Sequence, residues 1–218
     1  MAKKTESVVE VLSISPPRFA WLEVTLVGTA PLVQARFPEK ARKQMEDKMI
    51  AGSTAGKGKK RDARNFEDDF KQSMYLGPKG EHGINASAFR AAAISACRIV
   101  GFKMTLAKLG LFIEADMVDP RDGTPLVKVE GKPEMHVGPV RNANGAADLR
   151  ARAMWKEWSV RLRVRFDSEM FKAEDVLNLL ARIGGQVGIG EGRADSKKSA
   201  GCGWGFFTLK DEGKVVAA

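Results

Sequence analysis

Apolar and polar positions alternate most clearly between Trp158 and Phe166. Trp158, Val160, Leu162, Val164 and Phe166 interleave with Ser159, Arg161, Arg163 and Arg165. A period of two puts the first set on one face of a strand and the second on the other, so one face is core and the other carries three arginines in line. Trp21 to Val27, β-branched and aromatic, reads as another strand, ended by Gly28 and Pro31. Leu109 to Ile113, Leu126 to Val129 and Trp204 to Leu209 are further strand candidates. Two segments have helical spacing. Ala86 to Val100 opens at Asn85 as N-cap and closes at Gly101, with Phe89, Ala92, Ala93, Ala96, Ile99 and Val100 on one face. Ala173 to Ile183 turns Val176, Leu177, Leu180 and Ile183 inward. Phe66, Phe70, Met74 and Tyr75 recur at near-helical spacing before the turn Gly77-Pro78-Lys79-Gly80.

In chain order these elements read strand, long insertion, helix, strand, and then strand, helix, loop, strand. That β-α-β-β-α-β order predicts an α+β protein with a ferredoxin-like (RRM-like) sheet and helices on one face. A single domain is expected over residues 1–218, with insertions at about 36–80 and 119–152. Within the first, 36–64 nets +6, and Ala51 to Arg61 is small, polar and low in complexity, so a flexible basic loop is expected there. Met135 to Gly145 reads as a turn-rich excursion within the second.

Composition narrows the function classes. The chain of 218 residues carries a net charge of +9 with a pI near 9.6, which favours nucleic acid or another polyanion as partner. No apolar run approaches the roughly 20 residues of a membrane span. The charged start, Met1 to Glu6, is followed by no signal-like apolar core. Cys97 and Cys202 have no metal-ligand spacing and read as reduced residues of a cytoplasmic protein.

Glycine adds the sharpest local signal. Eight of the 22 glycines fall between Gly184 and Gly205, and Arg193, Lys197 and Lys198 lie among them. Such clustering implies left-handed backbone or close approach to another chain, and with cations it suits a loop laying its amides along an anion.

These residues resemble the RAMP superfamily of CRISPR systems. Leu26-Val-Gly-Thr-Ala-Pro-Leu-Val33 looks like the family's first strand and following turn. Ile84-Asn-Ala-Ser-Ala-Phe-Arg-Ala-Ala-Ala93 is similar to the motif Ile-Pro-Gly-Ser-Ser-Leu-Lys-Gly-Ala that opens its first helix, with Asn85-Ala86 standing where Pro-Gly is usual. Gly188 to Arg193 followed by Gly201 to Gly205 looks like its glycine loop. The resemblance implies a backbone subunit, or a minimal or phage-borne relative. Such a subunit oligomerises side by side along a single-stranded guide RNA, faces a complementary target strand, and meets other ribonucleoprotein subunits. It also implies that 36–64 is a nucleic-acid-facing segment and that 135–155 is a thumb-like projection.

The nucleic-acid contacts expected are Arg193, Lys197 and Lys198 in the loop, Arg36, Lys57, Lys59, Lys60 and Arg61 in the basic insertion, Arg90 on the first helix, and Arg141 on the second projection. Arg161, Arg163 and Arg165 are a further set. Phosphate contacts of this kind are mainly sequence-independent.

Catalysis is not expected. Guide-processing endoribonucleases of the same superfamily need a general base, and His82 and His136 are the only histidines, both in turn-like contexts. The target-cleaving relatives carry an aspartate after the first strand, whereas Ala30 to Pro38 contains no acid. Glu67-Asp68-Asp69 would spread around a helix, not converge on a metal. Gly52 to Lys57 lacks the spacing of a phosphate-binding Walker loop. Neither metal nor cofactor is expected. The competing readings are such an endoribonuclease and a non-catalytic phage assembly protein.

Overall fold

A computed structural model describes residues 15–52, 64–141, 147–196, 201–211 and 213–216. It is an α+β structure whose strands pair antiparallel throughout the described residues.

The largest sheet is built around β1 (Phe19–Gly28). β10 (Ser159–Asp167) pairs with β1 along its length, and β5 (Leu111–Glu114) pairs with the outer edge of β10. On the other edge of β1, β11 (Phe207–Leu209) pairs with Leu26–Gly28 and β12 (Lys214–Val216) with Trp21–Glu23. The order is therefore β11-β1-β10-β5. Alternation sorts the side chains: Leu22, Val24 and Leu26 of β1 and Val160, Leu162, Val164 and Phe166 of β10 are buried on one face.

Two helices cover that face. α3 (Ala86–Ala96) buries Phe89, Ala92, Ala93 and Ala96, and α5 (Ala173–Arg182) buries Val176, Leu179 and Leu180. The Asn85 side chain caps α3, accepting from the Ser87 N–H at 2.9 Å. The small residues of α3 let it lie close on the sheet. α3 ends earlier than its periodicity predicts. Arg98 and Ile99 donate backbone bonds three residues back, to Ser95 and Ala96, so the last turn tightens and the phase shifts. Ile99 and Val100, expected inward, are consequently about half exposed (48% and 46%).

The segments expected as two separate projections instead meet. β2 (Leu32–Gln34), β9 (Ala147–Trp155) and β8 (Pro133–Arg141) form a three-stranded sheet. β3 (Tyr75–Leu76), β4 (His82–Asn85), β7 (Pro125–Lys128) and β6 (Met117–Val118) form a four-stranded one. α2 (Phe66–Gln72) ends against β9, where the Ala153 N–H donates to Ser73 Oγ at 2.8 Å. Gln34, buried at the end of β2, donates to the Gly83 carbonyl at 2.8 Å and accepts from the Tyr75 N–H, tying the two small sheets together.

Other elements also depart from the sequence reading. Met135 to Arg141 is no turn cluster: it lies in β8, which pairs with β9 as the arms of a long hairpin. Pro133 and Pro139 fit because β8 is the outer strand, where a missing N–H leaves no ladder bond unmade. α4 (Met104–Gly110) takes Leu109 out of the strand predicted there. Trp204 to Phe206 belong to the preceding loop, so β11 is shorter than predicted. α1 (Glu39–Ala51) stands out from the body, with Met45, Met49 and Ile50 exposed. No helix among the described residues is long and apolar enough to cross a membrane.

Candidate nucleic-acid interface

The face of the large sheet turned away from α3 and α5 carries the other half of each alternation. β10 presents Arg161, Arg163 and Arg165, β1 presents Phe19, Trp21, Glu23 and Thr25, and β5 presents Phe112 and Glu114. Register sets their neighbours: Arg165 lies opposite Trp21 on one side and Phe112 on the other, and Arg163 opposite Glu23. The Arg161 side chain is 73% exposed and pairs with Glu23 at 2.5 Å. Arg165 pairs with Glu114 at 3.2 Å. Its guanidinium also lies 4.8 Å from the ring centroids of both Phe19 and Phe112, whose rings meet edge to face at 6.0 Å. Arg161 reaches solvent beside a half-buried Glu23, whereas Arg165 and Glu114 are both half-buried.

The glycine loop is organised differently. α5 continues into a π-helical turn, Ile183–Val187, closed by Gly188, whose N–H donates to the Ile183 carbonyl at 2.8 Å. From there several of the loop's amides turn into the protein. Ile189 donates to the Gly205 carbonyl, Glu191 to Val33 and Gly205 to Pro31. Glycine is required by this packing. A Cβ on Gly205 would sit 1.9 Å from the Ile189 carbonyl oxygen and one on Gly190 2.6 Å from that of Val33, both at left-handed φ. The loop thus clasps the turn after β1 and the start of the small sheet, and the expected anion cradle does not form from those amides.

The hairpin packs on this clasp. Arg152 of β9 is buried, pairs with Glu191 and lies 5.9 Å from the Trp204 ring; His136 of β8 meets that ring edge-on at 5.4 Å. No local pattern in the sequence joins Arg152 and Trp204 to Glu191. Asp195, further along, pairs with Arg98 at 2.8 Å and accepts from Ser95. The Ser95 hydrogen bond, reinforced by Arg98 and opposed by partial burial, holds its carboxyl below the usual range.

The expected contact residues divide into two groups. Lys57, Lys59, Lys60, Arg61, Lys197 and Lys198 lie outside the described residues, as does the side chain of Arg141, whose backbone ends β8.

Arg36, Arg90 and Arg193 are placed, and Arg36 is corrected. Arg36 is 4% exposed, with Asp122 at 2.8 Å, Asp119 at 3.4 Å and Glu39 at 3.6 Å. Asp119 is fully buried and receives a bidentate bond from Arg121 at 2.9 and 2.7 Å. Burial opposes the ionisation of Asp119, but Arg121's hydrogen bonds and charge, together with Arg36, keep its pKa below the ordinary value. Arg36 is thus an internal cation joining β2 to the β6–β7 turn, with no face for a phosphate. Arg90 donates from Nε to the Leu111 carbonyl at 3.1 Å and from Nη2 to that of Lys108, and lies 5.1 Å from the Phe112 ring centroid. It joins α3 to the edge strand. Arg193 is half-buried and donates to the Gly190 carbonyl at 3.2 Å.

The histidines and acids are also placed. His82 lies edge-on to Trp155 at 5.6 Å, and burial pushes its pKa down, favouring neutral imidazole. Glu67, Asp68 and Asp69 form the first turn of α2, capped by Asn65 and suited to the helix dipole; Asp69 pairs with Arg64 at 3.0 Å. Among the described residues no three His, Cys, Asp or Glu side chains converge as a metal site. The face of β1 and β5 was legible from alternation: Leu22, Val24 and Leu26 against Trp21, Glu23 and Thr25, and Leu111 and Ile113 against Phe112. No family model matches the chain, and no curated protein is significantly similar to it.

Proposed function

We propose that the chain is a non-catalytic subunit that binds single-stranded nucleic acid by sequence-independent contacts, of the kind found in RAMP backbone subunits. The observation that carries this reading is the file Arg161, Arg163 and Arg165 on the open face of the large sheet. The net charge of +9 supports it. The strand order β11-β1-β10-β5, with α3 and α5 as the connections on one face, supports a ferredoxin-like core. In this reading the partners are a guide RNA, a complementary target strand and further copies arranged side by side in the cytoplasm.

A salt titration of binding to single-stranded RNA and DNA tests the proposal. Phosphate contacts from Arg161 and Arg163, with or without Arg165, predict that log K falls against log salt with a slope between about −1.4 and −2, from the value of about −0.7 per contact on single strands. Absence of binding at low salt, or affinity insensitive to salt, overturns it. Sequencing nucleic acid that co-purifies with the protein identifies the polymer.

A further inference from the structure

We infer that Phe19, Trp21 and Phe112, with the Arg165 guanidinium among them, form a base-stacking platform for unpaired nucleotides; this rests on the nucleic-acid reading above. Phosphate neutralisation alone needs only cations, and aromatic rings beside them add nothing to it. The open face instead combines three rings with three guanidinium groups on adjacent strands. Trp21 and Phe112 flank Arg165 in register, on either side of β10. Phe19 precedes Trp21 by two residues, on the same face. All three rings are partly accessible, unlike Trp155 and Trp158, which are buried in the core.

This chemistry selects its occupant. Arg165 lies over the Phe19 and Phe112 rings at 4.8 Å from each centroid, and Arg90 lies 5.1 Å from that of Phe112, so planar guanidinium groups and rings share one surface on which a base can stack. Arg163 and Arg161, exposed two and four residues along the strand from Arg165, are set to meet phosphates of the same nucleic-acid strand. A sheet face with arginines in file beside aromatic rings fits a strand whose bases are splayed out. A duplex keeps its bases stacked on one another and offers the rings nothing. The geometry therefore points to single-stranded RNA or DNA with unpaired bases, and not to duplex or bare polyphosphate.

The experiment uses the full chain, with anisotropy of labelled 20-mers of uridine and thymidine, the corresponding duplexes, and inorganic polyphosphate as competitor. Trp21→Leu and Phe112→Leu keep apolar bulk but remove the ring, and Trp21→Phe restores one. Each leucine variant is expected to weaken single-strand binding about 5- to 150-fold with an unchanged salt slope, and Trp21→Phe to recover most of the loss. Thermal melting identifies leucine variants that unfold; for these, quenching of Trp21 fluorescence by oligonucleotide, present in the wild type and absent in Trp21→Phe, is the replacement readout. Wild-type affinity equal for single strand and duplex, or folded leucine variants that bind like wild type, overturns the platform while leaving nucleic-acid binding intact. Failure of the wild type to bind any polyanion at low salt overturns the function and the platform together.

Discussion

Arginine serves opposite ends on the two sides of this molecule. At the junction of the small sheets and the glycine loop, Arg36 and Arg152 are buried against carboxylates and their charge is consumed inside. On the open face of the large sheet, Arg161 and Arg163 point to solvent from regular strand positions. The lesson concerns direction. A cation's position in a basic stretch says nothing of where it points, whereas its place in a period-two pattern does.

The sharpest way to break this contrast is at its buried end. Asp119→Asn should destabilise the protein by about 3–5 kcal/mol, since Arg36 and Arg121 would lose their shared buried counter-charge. Urea denaturation measures this; a loss below 1 kcal/mol would show that the network is not structural. Gly205→Ala comes next, at about 2–4 kcal/mol, because left-handed strain adds to a clash with backbone that cannot yield. Gly185→Ala is its control within the same loop: a Cβ there meets nothing within 4 Å, so stability should change by less than about 1 kcal/mol.

Acid should find the same end. Asp119 and Asp195 have folded pKa values below their ordinary ones. Their stabilisation is therefore complete above the unfolded value, about 4, and is lost as pH falls through the lower folded values. Melting temperature should hold from pH 7 to 5 and drop below about pH 4; a flat profile to pH 2 would contradict it. The smallest stability effect belongs to the open face. Arg163→Ala should alter stability by no more than about 0.5 kcal/mol while reducing the salt slope of binding by about 0.7.

How much could be read beforehand follows the same division. β1, β10, α3 and α5 were legible because each buries one face and so imprints its period on the sequence. The β8–β9 hairpin was not, since Pro133, Gly138 and Pro139 are turn signals everywhere except on an outer strand. The glycine loop was located correctly, but the inward turn of several of its amides was not foreseen. Left-handed backbone and close approach are legible in glycine spacing, but nothing local states that Val33, Pro31 and Ile189 are what it approaches. The rings of the platform were visible as residues, yet only the pairing of β1 and β5 with β10 brings Trp21 and Phe112 to either side of Arg165.

One edge of β1 is completed by two separate pieces of the chain's far end, β11 at Leu26–Gly28 and β12 at Trp21–Glu23. During synthesis the central strand of the large sheet is made early, and both of its edges stay unpaired until β10, β11 and β12 emerge. Such non-local pairing slows folding and leaves strand edges open to association with other nascent chains. Yield on expression should therefore depend on chaperone supply and growth temperature more steeply than the finished protein's stability would suggest.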